Sequence, residues 1–420
     1  MGVHYDWSSG EPPLIDEHSA AKHRVLRRYV ENYIQILCCN PRRSELRLVV
    51  VDGFCGGGVY RDGTSNLLPG SPLILLEALQ KGRAEVCRRR REMGIHTPFE
   101  LHAKLYLNDI DRDAIRMLQR HLPNPMDEEW RPEINITTLD FKQAAVQLID
   151  SYRNQRGSPR IIFVLDQYGF SDATLPVMQS IFQAFPKAEI VLTIAIDALV
   201  NFASPNTVEL YQKALAKTGF DAAVSAEKLA SIKEENDGAK HIIQTLFLKD
   251  VFPRTGASYA TPFFVIPRQS RRGYWLVHLA NSPRANDEMK QLHWEAKNHF
   301  MHFGHEGVGI LAFDPLRLED DTQSIFDFGD FARQRTEEAL KLDLPRLITR
   351  EFPDGTTIRS LLQRVANDSP ATADMVRDQI FQLGQERELD VRTSNWRQRK
   401  NVACLHGDDE VHPRRQLVLI

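Results

Sequence analysis

The chain has 420 residues, more than the roughly 100–200 of a usual single domain, so we expect two structural units or one large α/β domain with an appendage. Hydrophobic residues make up 42% and charged residues 26%, which excludes general disorder. No apolar run approaches the roughly 18 residues that span a bilayer and the amino terminus lacks a signal-peptide pattern, so we expect a cytoplasmic protein. The net charge of −3 excludes a strongly basic overall field, so any nucleic-acid binding has to come from local patches.

The first half of the chain alternates predicted helices and strands. Apolar residues spaced three and four apart between residues 16 and 37 predict an amphipathic helix, which leads into a β-branched run at residues 46–52. Four later runs share this hydrophobicity and, like the first, each ends in an acidic residue: 105–109, 134–140, 161–166 and 190–197. Helical patterns separate the runs. This alternation predicts a Rossmann-like α/β fold with a doubly wound parallel sheet, which binds ligands at the carboxyl ends of its strands.

The middle of the chain departs from this alternation. Residues from about 203 to 260 are rich in Ala, Lys and Glu and predict a helical insertion. Two strand-like runs, 262–266 and 274–279, then predict a hairpin. Its tip carries three arginines that we expect to contact the backbone of a nucleic acid: Arg268, Arg271 and Arg272.

The C-terminal part predicts a second, smaller domain. A polar stretch from Glu319 to Arg335 interrupts the periodicity, so we place the boundary there, with a first domain over residues 1–335 and a second over residues 340–420. Two helix starts led by threonine, followed by short apolar runs typical of a β-wing, predict a winged-helix-like domain.

A glycine-rich turn follows the first predicted strand. Residues 52–58 read D-G-F-C-G-G-G, and the missing side chains would let the backbone approach a bound adenosyl group. The turn lacks the register of the dinucleotide fingerprint G-x-G-x-x-G, and a loop comes before any following helix. A glycine turn that binds no ligand is the alternative. We predict four cofactor-binding residues here: Asp52, Phe54, Gly56 and Gly58.

Acidic residues at the ends of the next two strands extend this prediction. Asp109 stands where the ribose hydroxyls of an adenosyl cofactor need a carboxylate, with Asp111 as a competing candidate that would otherwise cap the next helix. Asp140 and Phe141 close the third strand, in position to bond the adenine amine and to pack against its ring. Each acid alone could be only a helix cap. Their order and spacing together predict a site for S-adenosylmethionine (SAM).

The fourth strand delivers the segment that we assign to the methyl acceptor. Asp166 or a neighbouring carbonyl could accept a hydrogen bond from an exocyclic amine, while Tyr168 stacks on its ring. Methylation of an amine needs little acid–base catalysis once the nitrogen lone pair is aimed at the sulfonium methyl group, so alignment and electrostatics supply most of the rate. A strand-end cap with a core tyrosine is the alternative. Asp166 and Tyr168 are therefore the candidate catalytic residues.

The five cysteines show neither zinc-type spacing nor the even framework of a secreted protein, so we expect reduced thiols and no structural metal. Cys55 is a conceivable nucleophile for methylation of a ring carbon. Its place within the cofactor turn would direct the thiol away from the acceptor, which disfavours that role.

Together these residues resemble the three-Cys-motif partner (TcmP) family, whose members are similar to SAM-dependent methyltransferases. The resemblance covers nearly the whole chain, including the winged-helix-like tail. Its most specific element is the glycine turn followed by G-S-P-L at residues 70–73. The other matching segments are Lys22-His23 with Tyr29, residues 51–60, Asp109, Asp140-Phe141, residues 166–169, Met289-Lys290 and His293-Trp294.

Two departures from the family pattern concern the site. The family turn commonly reads F-A-G-P-G-R-Y, where residues 54–60 read F-C-G-G-G-V-Y and keep glycine at the critical positions. The family motif D-P-Y-G is D-Q-Y-G at residues 166–169, so Gln167 replaces a rigid proline. The family's D-P-[FY]-G is also similar to the motif of tRNA guanine-N2 methyltransferases, which implies by analogy that the acceptor is an exocyclic nucleobase amine.

The resemblance implies a methyltransferase for DNA or RNA, with the tail and the arginine-rich hairpin holding the nucleic-acid backbone. It also implies a setting among mobile or defence genes and a radical-SAM-like partner protein that carries three cysteines. One alternative is a non-catalytic nucleic-acid- or partner-binding protein that kept the fold. A small-molecule methyltransferase is the other, which the basic hairpin and the tail disfavour and the net charge leaves open.

Overall fold

The computed structural model describes most of the chain. The described residues are 5–15, 17–124, 129–155, 159–167, 171–194, 208–222, 225, 227–228, 231, 246–265, 274–295, 301–303, 325–327, 330–393, 401 and 405–414. The chain divides into two units, Met1–Ser282 and Pro283–Ile420. No helix among the described residues is long and apolar enough to cross a membrane.

The first unit is built on a sheet that alternates with helices along the chain. Its helices are α1 (Glu17–Leu37), α2 (Ser71–Glu92), α3 (Arg112–His121), α4 (Phe141–Tyr152), α5 (Leu175–Ala184) and α6 (Val208–Thr218). Its strands are β1 (Glu45–Asp52), β2 (Val59–Arg61), β3 (Leu67–Pro69), β4 (Glu100–Asn108), β5 (Glu133–Thr137), β6 (Arg160–Leu165), β7 (Ala188–Ile194), β8 (Tyr259–Val265) and β9 (Tyr274–Ala280). Within this unit the sheet runs in the order β5-β4-β1-β6-β7-β9-β8.

The strand order identifies a doubly wound sheet. Strands β5, β4, β1, β6 and β7 are parallel, and β9 is antiparallel to both of its neighbours. The order reverses between β1 and β6, because the chain proceeds from β1 to β4 and β5 on one side and to β6 and β7 on the other. Such a switch point is where open α/β sheets bind ligands, outside the carboxyl ends of the strands. The predicted Rossmann-like α/β fold is confirmed.

The central strands are buried because their side chains are apolar on both faces. Five consecutive residues at the end of β1 are buried, as is every residue of β7. Helices α1 and α2 pack against each other, and Gly82 permits their close approach, since a Cβ atom there would lie 2.7 Å from Cδ1 of Ile34.

Several strand boundaries differ from those that the sequence predicts. Strands β4 and β5 end at Asn108 and Thr137, so Asp109 and Asp140 lie in the loops that follow. A short antiparallel ribbon, β2 with β3, was not expected after the glycine turn. The amino-terminal segment joins this ribbon, since Ile15 donates its N–H to the carbonyl of Arg61 over 2.8 Å.

The predicted insertion and hairpin are described in part. Between residues 203 and 260 the described elements are helical up to Thr255, after which β8 begins at Tyr259. Strands β8 and β9 pair antiparallel, as the predicted hairpin requires. Its tip, with Arg268, Arg271 and Arg272, lies outside the described residues.

The second unit contains a winged helix. Its elements are α7 (Pro283–Glu295), β10 (Met301–Phe303), β11 (Ile325–Asp327), α8 (Asp330–Glu351), β12 (Thr356–Thr357), α9 (Ile358–Val365), α10 (Ala373–Gln385), β13 (Leu389–Arg392) and β14 (Glu410–Pro413). The last three strands form a sheet in the order β12-β14-β13, and Thr357 and Thr372 cap α9 and α10 as expected. The sequence of three helices and a β-wing is that of a winged-helix domain.

Helix α7 belongs to this second unit because it bonds to the loop between α9 and α10. Lys290 donates from Nζ to the carbonyl of Ala366 over 2.7 Å, and Trp294 donates from Nε1 to the carbonyl of Pro370 over 3.0 Å. The unit therefore begins at Pro283, upstream of the polar stretch at residues 319–335, and the expected start at residue 340 lies inside α8.

Candidate active site

Asp52 ends β1 at the switch point of the sheet. Its register partner on β6 is Val164, so the ends of β1 and β6 lie side by side. The carboxyl group is fully buried, and neither oxygen has a hydrogen-bond partner among the described residues. Burial raises the pKa of Asp52 to about 7, with the charge of Asp166 adding to the rise. The hydroxyl of Ser71 and the N–H of Phe54 lie near enough to oppose this rise, although neither has hydrogen-bond geometry.

The glycine turn is packed against the protein's own side chains. Gly56 and Gly58 have φ values of +57° and +76°, which disfavour any residue with a side chain. A Cβ atom on Gly57 would overlap the ring of Trp7, and one on Gly58 would lie 2.6 Å from Cδ1 of Leu118. The missing side chains of the turn predict space for a ligand. In the structure, part of it holds Trp7 and helix α3.

Asp109 holds the glycine turn to the loop after β4. Its Oδ2 accepts a hydrogen bond of 2.8 Å from the N–H of Gly56, and its Oδ1 accepts one of 2.9 Å from the N–H of Asp111. Asp111 caps helix α3, because its carboxylate accepts from the N–H groups of Asp113 and Ala114. Of the two candidates for the ribose, Asp109 is therefore the one not used as the cap of α3.

Two residues beside Asp109 join the site without having been predicted from the sequence. Asn108 is buried, and its amide donates to the carbonyls of Gly53 and Leu139 over 3.2 and 3.0 Å, which ties the turn after β1 to the loop after β5. Ile110 is 71% exposed, an unusual state for a large apolar side chain. Its position between Asp109 and Asp111, just beyond a strand end, is the sequence signal that could have identified it as a site residue.

Phe141 and Phe54 form the apolar part of the site. Phe141 is buried, its ring centroid lies 5.2 Å from that of Phe54, and its ring edge would meet a Cβ atom on Gly53 at 2.8 Å. Asp140 is exposed and caps helix α4, with Oδ1 accepting from the N–H of Lys142 over 2.9 Å. The cap and the adenine contact predicted for Asp140 are compatible, since a carboxylate has about four acceptor positions.

Asp166, just beyond β6, is paired with Lys22 of helix α1. Both carboxylate oxygens lie 2.6 Å from Nζ of Lys22. Burial opposes ionisation of Asp166, but the charge and hydrogen bonds of Lys22, together with Thr193 and His23, lower its pKa. His23 is also buried, and burial with the neighbouring Lys22 charge lowers its pKa to about 4, so its ring is neutral at pH 7.

Gln167 fixes the loop that follows β6. Its Oε1 accepts from the N–H groups of Asp172 and Ala173 over 2.9 and 2.8 Å, which fixes the loop that leads into α5. Its Nε2 is buried without a hydrogen-bond partner among the described residues. Tyr168 lies outside the described residues.

Cys55 lies inside the turn and is buried. Its N–H donates to the carbonyl of Asn108 over 2.9 Å. Burial, with the charges of Asp52 and Asp109, raises the pKa of the thiol well above its ordinary value, which disfavours the thiolate that a nucleophile needs.

The structure thus gathers most of the predicted residues at one edge of the sheet. Those at the carboxyl ends of β1, β4, β5 and β6 are Asp52, Phe54, Gly56, Gly58, Asp109, Asp140, Phe141 and Asp166. Lys22, His23, Asn108 and Ile110 join them. The arginines of the hairpin tip lie outside the described residues.

Comparisons with known proteins match the C-terminal region and, separately, several solved structures. A family model described as a GMT-like wHTH domain matches residues 313–395. Magnesium protoporphyrin IX methyltransferase from Synechocystis PCC 6803 with bound SAH is 13% identical, with a TM-score of 0.27 over 64% of this chain and 89% of that chain. Human methyltransferase-like protein 13 in complex with SAH is 11% identical, with a TM-score of 0.30 over 73% of this chain and 97% of that chain. No curated protein matches the chain.

Proposed function

We propose that this chain is a SAM-dependent methyltransferase that acts on an exocyclic amine of a nucleobase in DNA or RNA. The observation that carries the proposal is Asp52, a buried carboxyl without a hydrogen-bond partner among the described residues, at the switch point and directly before a glycine turn. A cationic partner stabilises such a group in its ionised form, and the amino group of SAM is a cation of this kind. The residues present therefore fit the cofactor.

The neighbouring residues offer the other contacts that SAM needs. Asp109 lies beyond the end of β4, where the ribose hydroxyls need a carboxylate, and its bonds to the N–H groups of Gly56 and Asp111 hold that carboxylate at the glycine turn. The exposed side chain of Ile110 offers apolar surface for the adenine ring, and Asp140 offers a carboxylate for its amine.

Bound SAM supplies an electrophilic methyl group on a sulfonium. This chain's own residues orient the acceptor: Asp166 accepts a hydrogen bond from the exocyclic amine, and Tyr168 stacks on the base. Orientation and fixed charge supply most of the rate in such a reaction. The base has to leave its stack to reach the sheet edge, which favours single-stranded or flipped substrates.

The choice of nucleic acid as substrate rests on the C-terminal unit and the hairpin. The GMT-like wHTH match supports a nucleic-acid-binding tail. Residues 330–393, however, contain twelve Asp and Glu against ten Lys and Arg, so the phosphate contacts would come mainly from Arg268, Arg271 and Arg272. The TcmP resemblance adds a setting among mobile or defence genes and a radical-SAM-like partner.

A non-catalytic binding protein on the same fold is the second candidate. The packing of Trp7 and Leu118 against Gly57 and Gly58 favours it, because the protein needs these glycines whether or not a ligand binds. The unpartnered carboxyl of Asp52 favours the enzyme instead, since a site without cofactor has no reason to retain it.

Calorimetry with SAM tests the proposal. We expect the wild type to bind SAM in the micromolar range and the Asp52→Asn variant to bind at least about tenfold more weakly, because the neutral amide loses the charge contact. A matched control is Asp113→Asn, an acid of helix α3 paired with Arg116. A folded wild type that binds no SAM contradicts the cofactor assignment. SAM binding without methyl transfer to DNA or RNA favours the non-catalytic candidate.

A further inference from the structure

The ion pair of Lys22 and Asp166 joins two distant parts of the sequence at the acceptor edge of the sheet. Lys22 lies in helix α1, 144 positions before Asp166, and its Nζ lies 2.6 Å from both carboxylate oxygens. The contact is therefore symmetric, with one hydrogen-bonded position used on each oxygen. A carboxylate has about four such positions, so Lys22 and the hydroxyl of Thr193 together leave room on Asp166 for a hydrogen bond from an acceptor amine.

The two side chains of this ion pair are buried to different degrees. The side chain of Lys22 is 8% exposed and that of Asp166 is 30% exposed, so the ammonium lies on the buried side of the carboxylate. Removing one member of a buried pair leaves an unpaired charge, which costs more than the pair contributes. A pair of this kind at a strand end is better explained by a requirement for one fixed, ionised carboxylate than by stability alone.

Among the described residues, the other groups that act on the charge of Asp166 lie on three elements. From helix α1 come Lys22 and His23, and from the end of β1 comes Asp52, whose carboxyl interacts with the charge of Asp166. Thr193 of β7 contributes a hydroxyl that favours the ionised carboxylate. Lys22 is thus the principal charge that keeps Asp166 ionised against burial.

We infer that Lys22 is a positioning residue of the acceptor site, which fixes Asp166 as a carboxylate in one orientation for the incoming amine. This inference rests on the proposed function and adds helix α1 to the acceptor site. Lys22 does not touch the substrate in this role. It acts through Asp166, and its removal should change the acid side of the pH profile as well as the rate.

The test compares variants of the full chain in transfer of labelled methyl groups from SAM to total cellular DNA and RNA. In Lys22→Met, Asp166 keeps its burial and loses its counter-charge, so its pKa rises and the acidic limb of the rate profile should move to higher pH. We expect transfer at pH 7 to fall by up to about 100-fold, as misplaced reacting groups allow. Lys22→Arg, which retains the charge, should recover part of the rate.

Two controls separate positioning from folding. Arg27 lies on the same helix and pairs with Glu77 over 2.8 Å, so Arg27→Met removes an ion pair outside the site and should leave rate and pH profile within about twofold. SAM affinity of Lys22→Met, measured by calorimetry, should stay within about threefold of wild type. If Lys22→Met does not fold, Lys22→Met/Asp166→Asn removes both charges and should fold, yet transfer at the rate of Asp166→Asn alone.

Each outcome decides the assignment. An unchanged rate and an unchanged acidic limb in Lys22→Met would overturn it, because the pair would then be only structural. A loss of SAM affinity that matches the loss of rate would also overturn it, since Lys22 would then serve the cofactor. No SAM binding by the wild type overturns the proposed function itself, a result that the calorimetry identifies separately.

Discussion

The backbone N–H of Gly56 donates a hydrogen bond of 2.8 Å to Oδ2 of Asp109. Two residues that the sequence assigned to the cofactor independently, 53 positions apart, therefore hold each other. The carboxylate fixes the glycine turn, which has to adopt a positive φ at Gly56, and the turn in return orients the carboxylate. Changes at Asp109 should consequently affect both the shape of the turn and the ribose contact.

We expect Asp109→Ala to weaken SAM binding by about 1.5–3 kcal/mol, or roughly 10- to 100-fold, the usual loss of hydrogen bonds to a charged group. Calorimetry measures the affinity. Asp113→Ala, in the first turn of α3, is the control and should bind SAM like the wild type. Equal affinities of Asp109→Ala and wild type would remove Asp109 from the cofactor site. Gly56→Val should abolish binding but is less informative, because a Cβ atom there would also lie 3.2 Å from Trp7.

The packing of Trp7 gives a prediction about stability. Gly57→Ala places a methyl group within the ring of Trp7 and 3.0 Å from Cγ of Met117, so we expect a loss of about 1–3 kcal/mol in the free energy of unfolding. Gly63→Ala is the matched control, since a Cβ atom there meets nothing within 4 Å. Urea unfolding of both variants measures the difference. Trp7→Leu should restore part of the loss in Gly57→Ala, and no restoration would argue against the contact.

The raised pKa of Asp52 predicts an unusual dependence of the unfolding free energy on pH. Its pKa is about 7 in the folded protein and about 3.9 in an unfolded chain, so the folded state binds the extra proton between these values. The unfolding free energy should therefore fall as pH rises from about 4 to about 7, by up to about 4 kcal/mol from this group. Asp52→Asn should lack this component and be more stable than wild type at pH 8. Parallel pH profiles for the two proteins would show that Asp52 is ionised throughout.

The fold was largely predictable because its central strands can be recognised from their local sequence. A buried parallel strand is a continuous apolar run, and β1, β6 and β7 have this pattern. The ribbon of β2 and β3 was not predictable in this way, since strands of three residues show no period. The start of helix α2 was not recognised because Gly70, Ser71 and Pro72 resemble a loop, although they form its N-terminus.

The positions of the candidate site residues were predictable wherever a residue lies at a strand end. Asp52, Asp109 and Asp166 follow apolar runs, so their common edge follows from the parallel sheet alone. The pairing of Lys22 with Asp166 depends on how helix α1 packs over the sheet, and one sequence contains no signal for that contact. The same holds for Trp7, whose ring occupies space that the glycine pattern alone would assign to a ligand.

The arginines of the hairpin give a prediction about salt. If Arg271 and Arg272 contact phosphates, Arg271→Ala should weaken binding to DNA or RNA without regard to sequence and should lower the slope of log K against log salt by about 1. Arg153→Ala, an exposed arginine beyond helix α4, is the control. A truncation that removes the tail should end at Ser282, because a cut at residue 340 would divide helix α8. Binding that does not respond to salt would favour a small-molecule substrate.

The last prediction concerns Asp166 and the choice of substitution that tests it. Asp166→Ala leaves the buried ammonium of Lys22 without its counter-charge, which we expect to cost about 3–5 kcal/mol of stability. Loss of methyl transfer in that variant would therefore not separate catalysis from folding. Asp166→Asn keeps the size and one acceptor oxygen, and combined with Lys22→Met it also removes the unpaired charge. We expect the double variant to unfold near the wild-type temperature, to bind SAM within about threefold and to transfer no labelled methyl group to cellular DNA or RNA. Tyr168→Ala should lower transfer by the loss of stacking, about 1–3 kcal/mol per base. Equal labelling by the double variant and the wild type would exclude both Asp166 and Lys22 from the acceptor site, because the variant lacks both charges while its fold and its SAM affinity are retained.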